Sequence, residues 1–278
     1  MKKIIIPFVI IIIIAVSVFY WVNGSAKSTE APADKHAEKQ IIETITPKKG
    51  NEISLKEYLR YKVLTSDEAN VALIGSSVAR GKGASLPMFS WFNQLERKIK
   101  EENMSIANEL NFSNFAKSGY TLNMLVEDGQ VDELVSERPD LVIIETSVVN
   151  SYAKNVSMDD TIAAINTVVS KINKESPDSM VIFISPNPCS VMQQGEVENA
   201  LGLTYEDYRE ETKSYIESKD WEFVNVYKGM EEKIQARGLE LNETLYDGVH
   251  PNDLGYRLWF EVMNEYFNKK QDLSSNKQ

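Results

Sequence analysis

The 278 residues include two histidines, His36 and His250. His250 lies in Tyr246-Asp247-Gly248-Val249-His250-Pro251-Asn252, so an aspartate stands three residues before it. A carboxylate at that spacing can fold back onto the imidazole Nδ1, fix the tautomer and leave Nε2 free as a base. A base of this kind needs a nucleophile. Gly75-Ser76-Ser77-Val78-Ala79-Arg80-Gly81 offers two hydroxyls in what reads as a tight strand-to-helix turn. The N-terminus of the following helix would also point N–H groups at an oxyanion. Cys189, the single cysteine, is a rival nucleophile in Ser185-Pro186-Asn187-Pro188-Cys189, but His250 is the only histidine beyond the N-terminal segment and cannot activate both. Gly119, in Lys117-Ser118-Gly119-Tyr120, allows close backbone approach to a ligand. Asn150, closing Glu145-Thr146-Ser147-Val148-Val149-Asn150, can donate a side-chain N–H to a developing oxyanion. Each motif has a plainer reading, as capping serines, a turn glycine or a capping asparagine. Together they supply a nucleophile, a base, its orienter and three oxyanion donors, in the order Ser, Asp, His.

Such groups act together only if a fold brings their loops to one place. Short apolar runs at Val71–Ile74, Phe112–Ala116, Leu141–Glu145, Met180–Ser185 and Phe223–Val226 read as strands buried on both faces. Between and around them, helical spacing covers Ser54–Leu64, Phe89–Lys100, Leu122–Ser136, Thr161–Ile172, Tyr205–Ile216, Met230–Ala236 and Leu254–Phe267. Strand–helix alternation of this length predicts one α/β domain with a mostly parallel sheet. Ligands bind such sheets at the carboxyl ends of the strands, which is where all of these motifs fall.

Composition narrows the function classes. The chain is 42% hydrophobic and 26% charged, as globular proteins are. Lysine plus arginine number 30 against 41 acidic residues, a net charge of −11, which argues against a nucleic-acid partner. One cysteine excludes an intramolecular disulfide and any cysteine-rich metal site. The first βα loop has neither Gly-x-x-x-x-Gly-Lys nor Gly-x-Gly-x-x-Gly, so nucleotide binding has no motif.

The N-terminus is expected to meet a membrane. Ile4 to Val22 is an uncharged run of 19 residues, preceded by Lys2 and Lys3. As a helix it spans about 28 Å, close to the hydrocarbon thickness. The lysines place Met1 inside and the remainder outside. A cleaved signal ending near Gly24-Ser25-Ala26, giving a secreted protein, is the alternative. The chain therefore divides into residues 1–24 as anchor or signal, 25–50 as a flexible tether carrying His36, 51–270 as the folded domain and 271–278 as a polar tail.

The motif set resembles the SGNH (GDSL-type) hydrolase family from about Val71 to Phe267. Gly75-Ser76-Ser77-Val78-Ala79-Arg80-Gly81 is similar to the family's first block, Gly-Asp-Ser-x-x-x-Gly, with Ser77 at the nucleophile position by its spacing to Gly81. Gly119 and Asn150 match the second and third blocks, and Asp247-Gly248-Val249-His250-Pro251-Asn252 matches the last. Ser76 replaces the usual Asp. The third block, normally Gly-x-Asn-Asp, lacks its glycine and has Ser151 after Asn150.

The resemblance implies a three-layer α/β/α sandwich with a five-stranded, flavodoxin-like parallel sheet. It implies a Ser77–His250–Asp247 triad, an oxyanion hole of Ser77, Gly119 and Asn150, and no metal or organic cofactor. The expected activity is hydrolysis of acyl esters, acetyl esters first, on cell-surface carbohydrate or lipid. A cell-envelope acyltransferase with the same triad, and an anchored binding module with a decayed site, are the rival expectations. The polar segment Ser190–Leu203 is a candidate lid or recognition loop.

Overall fold

The computed structural model describes residues 32–190 and 197–275. The apolar run 4–22 lies outside them, as does the centre of the polar insertion, 191–196. Among the described residues no helix is long and apolar enough to cross a membrane. The chain forms two compact units, one ending at Thr44 and one from Ile45 onward.

Helix α1 (Pro32–Ile45) lies in the first unit as far as Thr44, so part of the stretch read as a tether is helical. Proline at its first position loses no hydrogen bond, and Ala, Lys, Glu and Gln favour its continuation. His36 lies on this helix, exposed, 3.4 Å from Gln40 Nε2.

The second unit is built on five parallel strands: β1 (Ala69–Ile74), β2 (Leu110–Asn114), β3 (Leu141–Glu145), β4 (Met180–Ile184) and β5 (Glu222–Val224). Their order in the sheet is β2-β1-β3-β4-β5, with all four pairings parallel. The pleat sorts their side chains into two cores. Val71, Leu73, Leu141, Ile143, Ile182 and Ile184 face helices α2 (Leu55–Ser66), α4 (Trp91–Glu102), α10 (Val226–Ala236) and α11 (Asp253–Asn268). Ala72, Ile74, Val142, Ile144, Val181 and Phe183 face α5 (Leu122–Glu127), α6 (Gln130–Ser136), α8 (Met158–Glu175) and Ile216 of α9 (Tyr205–Ser218). The result is the expected three-layer sandwich.

The differences from the sequence reading are local. Leu122–Ser136 forms two helices rather than one, because Gly129 turns left-handed, φ 74°, between α5 and α6. β5 stops at Val224, since Asn225 caps α10 and its side chain accepts from Lys228 N. The polar tail is corrected for its described part. Gln271–Asp272 pairs antiparallel with Glu52–Ile53, Asp272 Oδ2 accepts from Gly50 N at 2.8 Å, and Leu273 is buried.

β1 is the first strand laid down, and β2 and β3 lie on its two sides. The connections leaving the carboxyl ends of β1 and β3 therefore diverge and open a crevice there.

Candidate active site

The first wall of the crevice is the turn after β1. Ile74 ends the strand, Gly75 and Ser76 make the turn, and Ser77 opens the one-turn helix α3 (Ser77–Arg80). Gly81 closes it in the left-handed region, φ 92°. A Cβ on Gly81 would stand 2.6 Å from Ser90 Cβ, so this glycine is needed for both conformation and space. Ser77 is buried, 5% exposed.

The second wall is the loop before α11. Leu245 and Pro251 bridge antiparallel, and Tyr246 N donates to His250 O at 2.8 Å, which closes a tight loop over 246–250. Asp247 Oδ1 accepts from Val249 N and His250 N, at 3.1 and 2.9 Å. That Asx-type turn folds the carboxylate back onto its own histidine. His250 Nδ1 lies 2.8 Å from Asp247 Oδ2, and Nε2 lies 2.9 Å from Ser77 Oγ. An imidazole whose Nδ1–H is held by a carboxylate presents an unprotonated Nε2 to the hydroxyl. Burial alone would raise the Asp247 carboxyl. The backbone N–H of His250, its imidazole and the Val249 N–H outweigh burial and hold the group below its ordinary value. Between Ser76 and Ser77, only the latter hydroxyl bonds His250.

Gly119 and Asn150 come together as neighbours. Gly119 turns left-handed, φ 79°, after β2. Asn150 lies not in a loop but on helix α7 (Val148–Ala153), where its Nδ2 donates to Tyr120 O at 2.8 Å. An amide NH2 carries two hydrogens, so this bond leaves one for a ligand. The side chain thus holds the Gly119 turn while keeping a donor.

Other residues act as supports that the motifs did not disclose. Asn187, between two prolines, donates from Nδ2 to Val249 O at 2.9 Å, and Ser190 N donates to Gly248 O at 2.9 Å. The loop after β4 therefore props the histidine loop. Its Cys189 is buried with Val148, Val149, Tyr205, Tyr208 and Tyr227, a packing role rather than a nucleophile's. Tyr256 OH donates to Lys82 O at 2.7 Å, tying α11 to the segment after α3. Glu145, at the end of β3, is fully buried. Burial pushes its carboxyl up, and hydrogen bonds from Ser76 and Ser147 offset part of that. Asparagine between prolines was a visible signal, whereas Glu145 and Tyr256 gave none.

Among the described residues no cluster of His, Cys, Asp and Glu is arranged to hold a metal ion. A serine hydroxyl bonded to a carboxylate-oriented imidazole, on a flavodoxin-like α/β/α sandwich, is an arrangement capable of acyl transfer.

Comparison with known proteins agrees with that class. The model of the GDSL-like lipase/acylhydrolase family matches residues 73–258. The chain belongs to this family of ester-hydrolysing enzymes. No curated protein matches its sequence. Among solved structures it is similar to a two-domain esterase (CEX) active on acetylated mannans, co-crystallised with mannopentaose, at 19% identity and a TM-score of 0.55. That match covers 72% of this chain and 48% of the esterase, so the chain spans about half the length of that protein. It is also similar to the acetyl xylan esterase AlAXEase, at 15% identity and a TM-score of 0.56, covering 70% of this chain and 98% of that one. A member of the lipolytic protein G-D-S-L family from Veillonella parvula DSM 2008 gives 16% identity and a TM-score of 0.56, covering 72% and 99%. At these identities the likeness is one of fold.

Proposed function

We propose that the protein is an exported serine esterase that removes acetyl groups from cell-surface carbohydrate through a Ser77–His250–Asp247 triad. The observation that carries the reading is His250, whose Nδ1 is bonded to Asp247 and whose Nε2 is 2.9 Å from Ser77 Oγ. Export rests on the apolar run 4–22 behind two lysines, which would hold the catalytic unit outside the membrane. The acetyl–carbohydrate choice rests on solved relatives of this fold that act on acetylated mannans or are acetyl xylan esterases.

The reaction proceeds in two matched halves. His250 Nε2 takes the Ser77 proton as Oγ attacks the ester carbonyl, and Asp247 steadies the imidazolium formed. The carbonyl oxygen becomes an oxyanion facing the Ser77 and Gly119 N–H groups and the Asn150 amide. Each such donor is worth about 3 kcal/mol of barrier. The C–O bond to the sugar oxygen breaks, His250 protonates that oxygen, and the alcohol leaves an acetyl–Ser77 ester. Water, deprotonated by His250, attacks this ester. Acetate leaves, and the proton returns to Ser77 Oγ.

The test is acetate release from an O-acetylated glycan by the full chain. The wild type is expected to release acetate and the Ser77→Ala variant none. An acetyl group passed to added alcohol instead of water would show a transferase; no release from any acetylated sugar by an active esterase would overturn the substrate assignment.

A further inference from the structure

Glu145 is the only acidic side chain buried among the described residues, at 0% exposure. It ends β3, directly beside β1. Its two oxygens serve two different loops. Oε2 accepts from Ser76 N and Oε1 from Ser147 N, both at 2.8 Å. Ser76 is the residue before Ser77. Ser147 is the cap residue of α7, the helix that carries Asn150.

Two features show that the chain is shaped around this carboxylate. A Cβ on Gly75 would stand 2.7 Å from Glu145 Cβ and 2.9 Å from its Oε2. The glycine of the nucleophile turn therefore leaves the space that the glutamate fills. Ser147 sits in the left-handed region, φ 56° and ψ 16°, which a serine rarely adopts unless its surroundings hold it there. Its amide is aimed at Glu145 in that conformation. An apolar residue at 145 would leave both buried amides without an acceptor.

We propose that Glu145 is a positioning residue: by binding Ser76 N and Ser147 N it holds the Ser77 turn and the Asn150 helix in register, so that donors from two loops meet one oxyanion. It touches no reacting atom and acts through the two loops. The inference rests on the assignment of Ser77 as nucleophile.

The experiment compares the full chain with its Glu145→Gln variant on p-nitrophenyl acetate. Glutamine offers one oxygen and one NH2, so one of the two amides would face a donor. The expected result is a loss in kcat of about 10- to 100-fold with KM unchanged, from misplaced donors. Cooperative unfolding should be kept, and amide hydrogen exchange should quicken at Ser76 and Ser147. Turnover is counted per site titrated by a fluorophosphonate. Unchanged turnover per site, with only a lower melting temperature, would reduce Glu145 to a structural role and overturn the proposal. Should the Gln variant not fold, Glu145→Asp keeps the charge but is too short to serve both amides; full turnover there would equally overturn it. Wild-type protein that is inert while exchange at Ser76 and Ser147 stays slow would instead remove the nucleophile assignment, and the positioning role with it.

Discussion

Gly83 packs directly beneath His250. A Cβ on it would stand 2.4 Å from Pro251 O and 3.1 Å from His250 Cβ, and its φ is +100°. Three residues beyond the end of α3, the chain thus has to be bare for the histidine loop to close onto it. Gly83→Ala is expected to push that loop away from Ser77. We predict a fall in kcat/KM of about 100-fold, as for a displacement near 1 Å, and a loss of about 1–3 kcal/mol in stability. Steady-state kinetics with denaturant unfolding of the same variant checks both. Native kinetics would mean the loop relaxes without moving the imidazole.

Asp247→Asn should leave the fold intact and lower kcat by about 10⁴-fold, because asparagine no longer fixes the tautomer with Nε2 as acceptor. Circular dichroism and turnover of the purified variant decide this. Unchanged turnover would show that another group orients His250.

The same carboxyl has a pH signature. Its native value is depressed, so it stabilises the fold above its unfolded value of about 4 and loses that contribution as pH falls through the lower native value. The gap in melting temperature between wild type and Asp247→Asn should be full at neutral pH and should shrink in acid below that point. A gap that widens in acid would contradict the assigned direction.

Asn150→Ala should cost about 10²-fold in kcat with little change in KM, the mark of a donor used only in the transition state. Kinetics over a full substrate range separates the two constants. A rise in KM alone would place Asn150 in ground-state binding and not in the oxyanion hole.

What could be read beforehand follows the range of the interactions. Asp247 and His250 are three residues apart, so their pairing was legible from spacing. The central strands were legible because burial on both faces leaves continuous apolar runs such as Leu141–Ile144, whereas the edge strand Leu110–Asn114 is half-open to solvent and carries polar residues, so its expected bounds, Phe112–Ala116, fall two residues late. Glu145 was not, because a glutamate ending such a run reads as a strand emerging into solvent, and one of its amide partners, Ser76, is 69 residues away. Gly129 leaves no mark on the pattern because the apolar spacing of Leu122–Ser136 continues across it. The pairing of Gln271–Asp272 with Glu52–Ile53 joins chain segments more than 200 residues apart through a two-residue ribbon, too short to mark either sequence.

The most direct measurement of the central claim is p-nitrophenyl acetate hydrolysis by the full chain, beside its Ser77→Ala and His250→Ala variants. The account predicts turnover by the wild type and its loss in both variants, each still folded by circular dichroism. Turnover that survives Ser77→Ala would contradict a Ser77–His250 nucleophile pair.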